Sequence, residues 1–328
     1  MNKIVVMDGY TTNPGDLSWN PFEAYGELEV YDRTLPSDVL ARIGDASIVL
    51  TNKTQFPRST LERMPNLKYL GAMSTGYNVI DVEAARDLGI TVTNIPEYAT
   101  FATAQMTIAL LLELTNRVGR HDRLVHEGGW ARSVDFCFTD GPLTELWQKT
   151  MGLVGYGKIG KRVAAIAQAL GMKVLVTSRS IEKRMQAGEI SSEEAAVDGT
   201  YYADFDTLLK NSDIISFHCP LTPETTGLVN QNTISKMKDG VLLINTSRGP
   251  VFEEHDVAQA LGTGKIAGAA VDVLSAEPAD EKNPLLTAPN CIITPHIAWA
   301  PKETRQRLMD TAYENLSSYL SGNPQNVV

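Results

Sequence analysis

Three residues with complementary chemistry lie in the second half of the sequence. Arg248, Glu277 and His296 each follow shortly after an apolar run of the strand type. Arginine stays charged and binds planar oxyanions through a fork of donors, histidine titrates near neutrality, and a nearby carboxylate favours the charged form of a histidine. Each residue alone would more often be structural. All three at strand ends of one sheet indicate anion binding combined with proton transfer.

A glycine-rich stretch predicts the element that would position this site. Residues 150–171 read TMGLVGYGKIGKRVAAIAQALG, which predicts a strand, a tight turn and an amphipathic helix. Gly155 permits the turn, Gly157 lets amides approach a pyrophosphate, and Gly160 allows close packing of helix on strand. The motif alone is weak, because glycine turns between strands and helices are common. In this context it favours a dinucleotide whose phosphates lie on the helix N-terminus.

The end of the next predicted strand bears on the choice of cofactor. The run Lys173 to Thr177 is followed by Ser178-Arg179-Ser180, where NAD-binding units usually carry an acid and NADP-binding units carry an arginine nearby. Arg179 can bind a 2′-phosphate through its planar fork, and Ser178 can donate a hydroxyl. The alternative is a solvated basic loop. We therefore favour NADP(H), with NAD(H) as the alternative cofactor.

Length, charge and cysteine content limit the class of protein. The chain has 328 residues, a formal net charge of −10 and three scattered cysteines. This length allows two domains with full cores, and the negative charge argues against a nucleic-acid partner, since phosphate binding needs clustered cations. The cysteine spacing fits neither a disulfide framework nor a metal site, which suits a reducing cytosol. Without an apolar run of membrane-span or signal length, we expect a cytoplasmic protein with no membrane partner.

The first hundred residues alternate short apolar runs with helical patterns. This alternation predicts a small parallel sheet with helices on both faces. After the fourth run lies the turn MSTGYNVID, residues 73–81, in which exposed amides around Ser74, Thr75 and Gly76 could hold a carboxylate. An equally good interpretation is that Gly76 only serves the turn and Asp81 only caps the helix.

The segment between this sheet and the glycine motif changes character. Thr100 to Val118 is strongly apolar and predicts one long helix, which we interpret as the crossing between two domains. Residues 121–147 carry several aromatic side chains without clean periodicity. Such surfaces are rarely left in water, so this aromatic arm is a candidate dimer contact. The alternative is a loop folded back on its own core.

Strand and helix patterns alternate again up to residue 298, and residues 300–320 predict a helix that returns to the first sheet. We therefore predict an α/β protein with two doubly wound parallel-sheet domains. A Rossmann dinucleotide-binding domain, residues 100–298, is inserted into a smaller flavodoxin-like substrate domain, residues 1–99 plus 299–328. In such sheets ligands bind at the carboxyl ends of the strands.

The motifs at these strand ends resemble one known family. GYGKIG, CPLTPETTGLV, INTSRG, AAVDV, the AEP after it and TPHIAW, in this order, are similar to motifs of the D-isomer-specific 2-hydroxyacid dehydrogenases. The resemblance covers nearly the whole chain, and the set is far more specific than any single motif. HIAW resembles the glycerate dehydrogenase or hydroxypyruvate/glyoxylate reductase branch, and MSTGYNVID resembles the substrate loop of the family. Many members of the family carry an aspartate where this sequence has Ser178-Arg179. This difference puts the use of NAD in question, but not the fold or the reaction.

The resemblance implies a role for each candidate residue. Arg248 would hold a substrate carboxylate and polarise the keto oxygen, His296 would protonate that oxygen as hydride arrives, and Glu277 would orient His296 and favour its charged form. The substrate carboxylate would also contact Ser74, Thr75 and Gly76. Asp272 would accept a hydrogen bond from the carboxamide of the nicotinamide. The full set of residues around the dinucleotide would come from the glycine turn and the strand ends: Thr103, Gly155, Gly157, Lys158, Ile159, Gly160, Ser178, Arg179, Cys219, Pro220, Thr225, Thr246 and Asp272.

We therefore expect a homodimeric 2-oxoacid reductase that converts hydroxypyruvate or glyoxylate to D-glycerate or glycolate with NADPH, and catalyses the reverse. A D-lactate-type or other 2-ketoacid reductase is the alternative within the class. A dinucleotide-sensing corepressor would share the fold and even the catalytic positions, but the sequence shows no long disordered extension of a recruitment hub. A formate dehydrogenase is disfavoured, because abstracting hydride from formate needs no proton donor.

Overall fold

The computed structural model describes residues 2–192 and 194–328. The chain divides into two compact units, the first comprising Met1–Ala99 with Trp299–Val328 and the second Thr100–Ala298. Within the two described ranges, no helix combines the length and the hydropathy needed to cross a lipid bilayer.

Each unit is built on a sheet of parallel strands. The strands of the first unit are β1 (Asn2–Val6), β2 (Gly26–Val30), β3 (Ile48–Thr51), β4 (Tyr69–Ala72) and β5 (Thr91–Thr93). Those of the second unit are β6 (Thr150–Val154), β7 (Lys173–Thr177), β8 (Tyr201–Tyr202), β9 (Ile214–Phe217), β10 (Val241–Asn245), β11 (Ile266–Val271) and β12 (Cys291–Ile293).

Helices cover the faces of both sheets. The first unit begins with the short helices α1 (Asn20–Glu23), α2 (Val39–Ile43), α3 (Arg58–Leu61) and α4 (Val82–Asp87). The second unit contains α5 (Thr100–Asn116), α6 (Val118–His126), α7 (Lys158–Ala169), α8 (Arg179–Gln186), α9 (Phe205–Asn211), α10 (Gln231–Lys236) and α11 (Glu254–Thr263). The chain then returns to the first unit with α12 (Lys302–Leu320).

The sheet of the first unit has the order β2-β1-β3-β4-β5, which is the flavodoxin-like doubly wound order. Its central strands β3 and β4 are buried on both faces, as strands inside parallel sheets are. Val5 and Val49 pack into the core on one face. On the other face Ile4 and Leu50 pack with Leu308 of α12, so the C-terminal helix completes the core of the first unit.

The sheet of the second unit has the order β12-β11-β10-β9-β6-β7-β8. Counted from β6, this is the Rossmann order with one further strand at the β12 edge. The order reverses between β6 and β9, where ligands of such sheets bind. Helices α5 and α7 cover one face, and α9, α10 and α11 cover the other. The prediction of an α/β protein with two doubly wound parallel sheets is confirmed.

The prediction of one long helix from Thr100 to Val118 is wrong at the C-terminal end of that helix. Arg117 has a φ of 51°, in the left-handed region, and separates α5 from α6. The carboxylate of Glu113 accepts the Gly119 N–H at 3.2 Å, which stabilises the start of α6 after this break. Since α6 continues to His126, the prediction of irregular structure from residue 121 is also wrong for the beginning of the aromatic arm.

The polar segment after β7 is helical rather than a solvated basic loop. Ser178 caps α8, because its Oγ accepts the Ile181 N–H at 3.3 Å. The short α10 was not predicted either; it begins with a reciprocal capping box of Asn230 and Thr233. Both helices are too short and polar to show the apolar periodicity on which the predictions rested.

Candidate active site

The glycine motif joins β6 to α7 where the sheet order reverses. Gly155 has a φ of 99°, and a Cβ there would lie 2.6 Å from backbone atoms of His218 and Cys219, so only glycine fits. A Cβ at Gly160 would lie 2.3 Å from the Gly155 carbonyl oxygen. Gly157 is the N-cap of α7, and a Cβ there would meet no described protein atom within 4 Å. A pyrophosphate therefore fits beside Gly157, against amides that lack intrahelical acceptors.

Lys158 and Ile159, the other predicted residues of this motif, are the first two residues of α7. Their backbone N–H groups belong to the first turn, where the positive end of the helix dipole lies. The motif thus presents the backbone donors that a dinucleotide phosphate needs.

Arg179 begins α8 directly after β7, and its side chain is exposed. It lies near the loop that follows β9. A side-chain hydrogen bond from Thr222 and, more weakly, the charge of Arg179 lower the pKa of Glu224 in that loop. The hydroxyl oxygen of Ser178 accepts the Ile181 N–H in capping α8, and it also lies 3.0 Å from the Ser180 hydroxyl. Of the predicted pair, Arg179 therefore offers the exposed cation.

The loop after β9 is folded by Thr225. Its hydroxyl donates to the Pro220 carbonyl at 2.7 Å and accepts a backbone N–H of the same loop at 2.8 Å. Burial raises the pKa of the Cys219 thiol to about 11. Burial also lowers the pKa of His218 to about 4, and its Nε2 lies 2.9 Å from Ser216 Oγ. The side chains of His218 and Cys219, which follow β9, are therefore neutral at neutral pH.

Asn245 fixes the loop that carries Arg248. This buried last residue of β10 donates from its side chain to the Arg248 carbonyl at 2.9 Å. Its side-chain oxygen accepts the N–H and the hydroxyl of Ser247 at 3.0 and 2.8 Å. On the far side, a Cβ at Gly249 would lie 1.9 Å from the Leu274 carbonyl carbon, so the backbones are in direct contact. The loop is held while the guanidinium of Arg248 is exposed.

Two predicted cofactor residues are joined through a third threonine. Thr107 of α5 donates to the Thr103 carbonyl at 2.8 Å, and its hydroxyl lies 2.9 Å from that of Thr246. Because the single Thr107 proton goes to the carbonyl, Thr246 is the donor of the second hydrogen bond. All three side chains are buried, so the start of α5 is fixed to the loop after β10.

His296 and Glu277 form a pair at the same edge of the sheet. His296 Nδ1 lies 2.6 Å from Glu277 Oε2, and the side chains are 27% and 37% exposed. The other oxygen of Glu277 accepts the Leu274 N–H at 3.2 Å. His296 has a φ of 54°, a conformation that costs a non-glycine residue roughly 1–3 kcal/mol and is common at functional sites. With Nδ1 held by the carboxylate, Nε2 is the nitrogen that can exchange a proton with a ligand.

Asp272 holds the loop of His296 in this conformation. Its carboxylate is buried and accepts the Thr294 hydroxyl at 2.6 Å, the Ile297 N–H at 2.9 Å and the Ala298 N–H at 2.8 Å. Its own N–H donates to the Asn245 carbonyl at 2.9 Å. The loops after β10, β11 and β12 are therefore tied to one another. The sequence predicted a contact of Asp272 with the carboxamide of the cofactor, but not these contacts with the His296 loop.

In the turn of residues 73–81, the polar side chains form hydrogen bonds with other groups of the first unit. Ser74 Oγ donates to the Gly76 carbonyl at 2.6 Å, and Thr75 Oγ1 donates to the Ile95 carbonyl at 2.7 Å. Asp81 caps α4 by accepting the Ala84 N–H at 2.9 Å. The turn lies at the carboxyl end of β4, so its backbone is the part that an anionic ligand could contact.

The second unit thus brings the predicted catalytic residues onto adjacent loops, while Ser74, Thr75 and Gly76 lie together in the first unit. Across the described parts of the chain, no group of histidine, cysteine and acidic side chains has metal-binding geometry. The role of Asn245 was not predicted, although an asparagine at a strand end is a recognised signal for a turn closed by its side chain.

Comparison with known proteins gives the family. The model of the D-isomer specific 2-hydroxyacid dehydrogenase NAD binding domain matches residues 108–298. A hydroxypyruvate reductase of Blautia hydrogenotrophica is 52% identical over 99% of each chain. A glycerate dehydrogenase of Methylorubrum extorquens is 36% identical over 99% of this chain and 98% of its own. A solved acyclic imino acid reductase in complex with NADPH and D-Arg is 31% identical, with a TM-score of 0.81 over 99% of both chains.

The chain belongs to the D-isomer-specific 2-hydroxyacid dehydrogenase family. Within the family it lies in the glycerate dehydrogenase and hydroxypyruvate reductase branch. It is an oxidoreductase that uses a nicotinamide dinucleotide to interconvert a 2-oxoacid and a D-2-hydroxyacid. The predicted family and enzyme class are confirmed, and the corepressor alternative is not supported.

Proposed function

We propose that this enzyme reduces hydroxypyruvate or glyoxylate to D-glycerate or glycolate with NADPH, and catalyses the reverse. The Glu277–His296 pair carries the proposal, because reduction of a ketone or aldehyde needs a proton donor at the oxygen that becomes a hydroxyl. The relatives named hydroxypyruvate reductase and glycerate dehydrogenase support this substrate class.

The mechanism assigns one task to each side chain. Arg248 binds the substrate carboxylate and polarises the keto oxygen, since its fork suits planar oxyanions. A reduced nicotinamide held by the second unit would supply the hydride for the new C–H bond at C2, and the C=O π electrons would pass to the oxygen. His296 transfers its Nε2 proton to the keto oxygen and becomes neutral. Glu277 stabilises the protonated imidazole before that transfer.

The roles of the remaining residues belong to the same proposal. The backbone of Ser74, Thr75 and Gly76 contacts the substrate carboxylate, which makes the first unit the substrate domain. Residues of the second unit surround the dinucleotide, so that this unit is the cofactor domain. The glycine motif takes the pyrophosphate, and Thr103, Pro220, Thr246 and Asp272 line the nicotinamide. Cys219 and Thr225 contact the same dinucleotide. The cysteine pattern favours a cytoplasmic location.

A panel assay tests the proposed reaction. We would follow the absorbance of NADPH and of NADH with hydroxypyruvate, glyoxylate, pyruvate and larger 2-oxoacids. The highest kcat/KM is expected for hydroxypyruvate or glyoxylate with NADPH. Better turnover of pyruvate would favour a D-lactate-type reductase instead.

Arg179→Ala is expected to remove most of the preference for NADPH by raising its KM. Loss of a charge-assisted phosphate contact costs about 1.5–3 kcal/mol, roughly ten- to a hundred-fold. The matched control is Arg184→Ala. Arg184 is on the same helix, but it faces Glu189 at 3.4 Å and the ring of Tyr202 at 5.6 Å. Equal or better kcat/KM with NADH in the unmutated enzyme would contradict the assignment.

We further propose that the enzyme is a homodimer formed through the aromatic arm. Val134, Phe136 and Trp147 are 102%, 89% and 61% exposed, and large apolar side chains left exposed along one segment favour an interaction surface. Sedimentation velocity is expected to give a dimer, and Phe136→Asp is expected to shift it toward monomer. Leu35→Asp, at an exposed leucine of the first unit, is the control. A parent protein that sediments as a monomer at micromolar concentration would contradict the proposal.

A further inference from the structure

We propose that Glu254 is a positioning residue that holds Glu277 against His296, an inference that rests on the proposed role of His296 as proton donor. Glu254 is the first residue of α11. Its Oε1 accepts the Ser275 N–H at 2.8 Å, and its Oε2 accepts the side-chain amide of Asn283 at 2.8 Å. These two contacts bracket the segment 275–283, which carries Glu277.

The segment 275–283 has no regular secondary structure of its own, and this carboxylate contacts both of its ends. Residues 275–282 are exposed and lie outside helices and strands. The segment leaves the core at the buried Leu274 and re-enters it at the buried Asn283. Asn283 also caps the turn Pro284–Leu286 by accepting the Leu285 N–H at 3.0 Å. Glu254 therefore joins the two ends of an exposed loop at a single point.

Replacing this carboxylate should loosen the Glu277–His296 contact without touching either residue. In Glu254→Gln, the carbonyl can still accept the Ser275 N–H, but the new amide faces the amide of Asn283, donor against donor. Glu277 then samples longer distances from His296, and its stabilisation of the imidazolium decreases with distance. Asp272 continues to hold the His296 loop from the other side, so the loss should be partial.

Glu254→Gln is expected to lower kcat for 2-oxoacid reduction roughly three- to tenfold at neutral pH, which is about the value of one hydrogen bond. The rate of reduction declines as the pH rises, and we call this decline the alkaline limb of the pH profile. In Glu254→Gln the alkaline limb should move to lower pH, as in Glu277→Gln but by a smaller amount. The KM for the dinucleotide should not change. Hydrogen exchange of residues 275–283 should become faster.

Glu253→Gln is the matched control. It makes the same change of charge one residue earlier, at the start of the same helix. Its carboxylate lies beside Gly227, where a Cβ would come within 2.5 Å of Glu253 Oε1. The pH profile and the exchange of residues 275–283 should stay as in the parent enzyme.

A swapped pair tests the contact itself. In Glu254→Gln with Asn283→Asp, the glutamine amide donates to the new carboxylate, and its carbonyl accepts the Ser275 N–H. The aspartate can still accept the Leu285 N–H. Most of the lost kcat and the original position of the alkaline limb should return, which repair of overall stability alone would not produce.

The outcomes separate this inference from the proposed function. If Glu277→Gln moves the alkaline limb but Glu254→Gln behaves like Glu253→Gln, the role of Glu254 is wrong and the proton donor stands. Failure of the swapped pair to recover the limb also overturns the inference. If Glu277→Gln leaves the alkaline limb in place, the assignment of His296 as proton donor is wrong. The inference about Glu254 is then wrong as well, even if hydrogen exchange shows that Glu254 orders residues 275–283.

Discussion

Arg248→Lys is expected to lower kcat for 2-oxoacid reduction by roughly 10²–10³-fold, the usual cost of losing a donor that stabilises charge developing on an oxygen. Lysine keeps the positive charge but loses the planar fork that would bind the carboxylate and polarise the keto oxygen together. The dissociation constant of NADPH, measured by fluorescence titration, should stay nearly unchanged, because the proposal assigns the exposed side chain of Arg248 to the substrate and not to the dinucleotide.

Arg86→Lys is the control for this substitution. Arg86 is an exposed residue of α4 in the first unit, and its replacement should change neither turnover nor cofactor affinity. A collapse of NADPH affinity in Arg248→Lys would place Arg248 in the dinucleotide site. The assignment of the substrate carboxylate to this residue would then be wrong.

His296→Gln is expected to reduce turnover by roughly 10²–10⁴-fold, the range that general acid catalysis contributes. The companion variant Glu277→Gln tests the mechanism by its pH profile. Reduction needs protonated His296, so its rate is full at low pH and declines as the pH rises. Without the carboxylate, 2.6 Å from Nδ1 in the parent, the protonated form is less stable and the decline moves to lower pH.

The oxidation direction gives the opposite consequence. There neutral His296 must accept a proton, so Glu277→Gln should stay active to lower pH than the parent enzyme. Simple damage to the fold would depress both directions at every pH. If both profiles keep their midpoints and lose only amplitude, Glu277 is not electrostatically coupled to His296 and the pair must be abandoned.

The features that sequence analysis predicted correctly depend on local patterns. Strand, glycine turn and helix follow one another between residues 150 and 169, and the spacing of Gly155 and Gly160 reflects contacts within that same unit. The C-terminal helix was predicted for residues 300–320 and lies at 302–320, because its apolar positions recur over five turns. Such signals are contained in the segment that they describe.

The contacts that sequence analysis missed join residues far apart in the chain. Glu254 meets Asn283 across 29 positions, and Asp272 meets Thr294 across 22. No spacing rule relates these pairs, because the order of the strands brings them together. The break at Arg117 also gave no signal, since arginine is not among the residues enriched in the left-handed region. Helix propensity alone would have continued α5 through it.

The first unit is built from two parts of the chain that lie far apart in the sequence, and this has a consequence for synthesis on the ribosome. Ile4, Leu50 and Tyr69 are made early, but they share their core with Leu308 and Leu316 of α12. At typical elongation rates of about 5–20 residues per second, the roughly 200 intervening residues take on the order of ten to forty seconds. During that interval the second unit, which is continuous in the chain, can fold on emergence. The apolar face of the first sheet stays uncovered until α12 has been synthesised, and until then chaperones and neighbouring nascent chains can bind it.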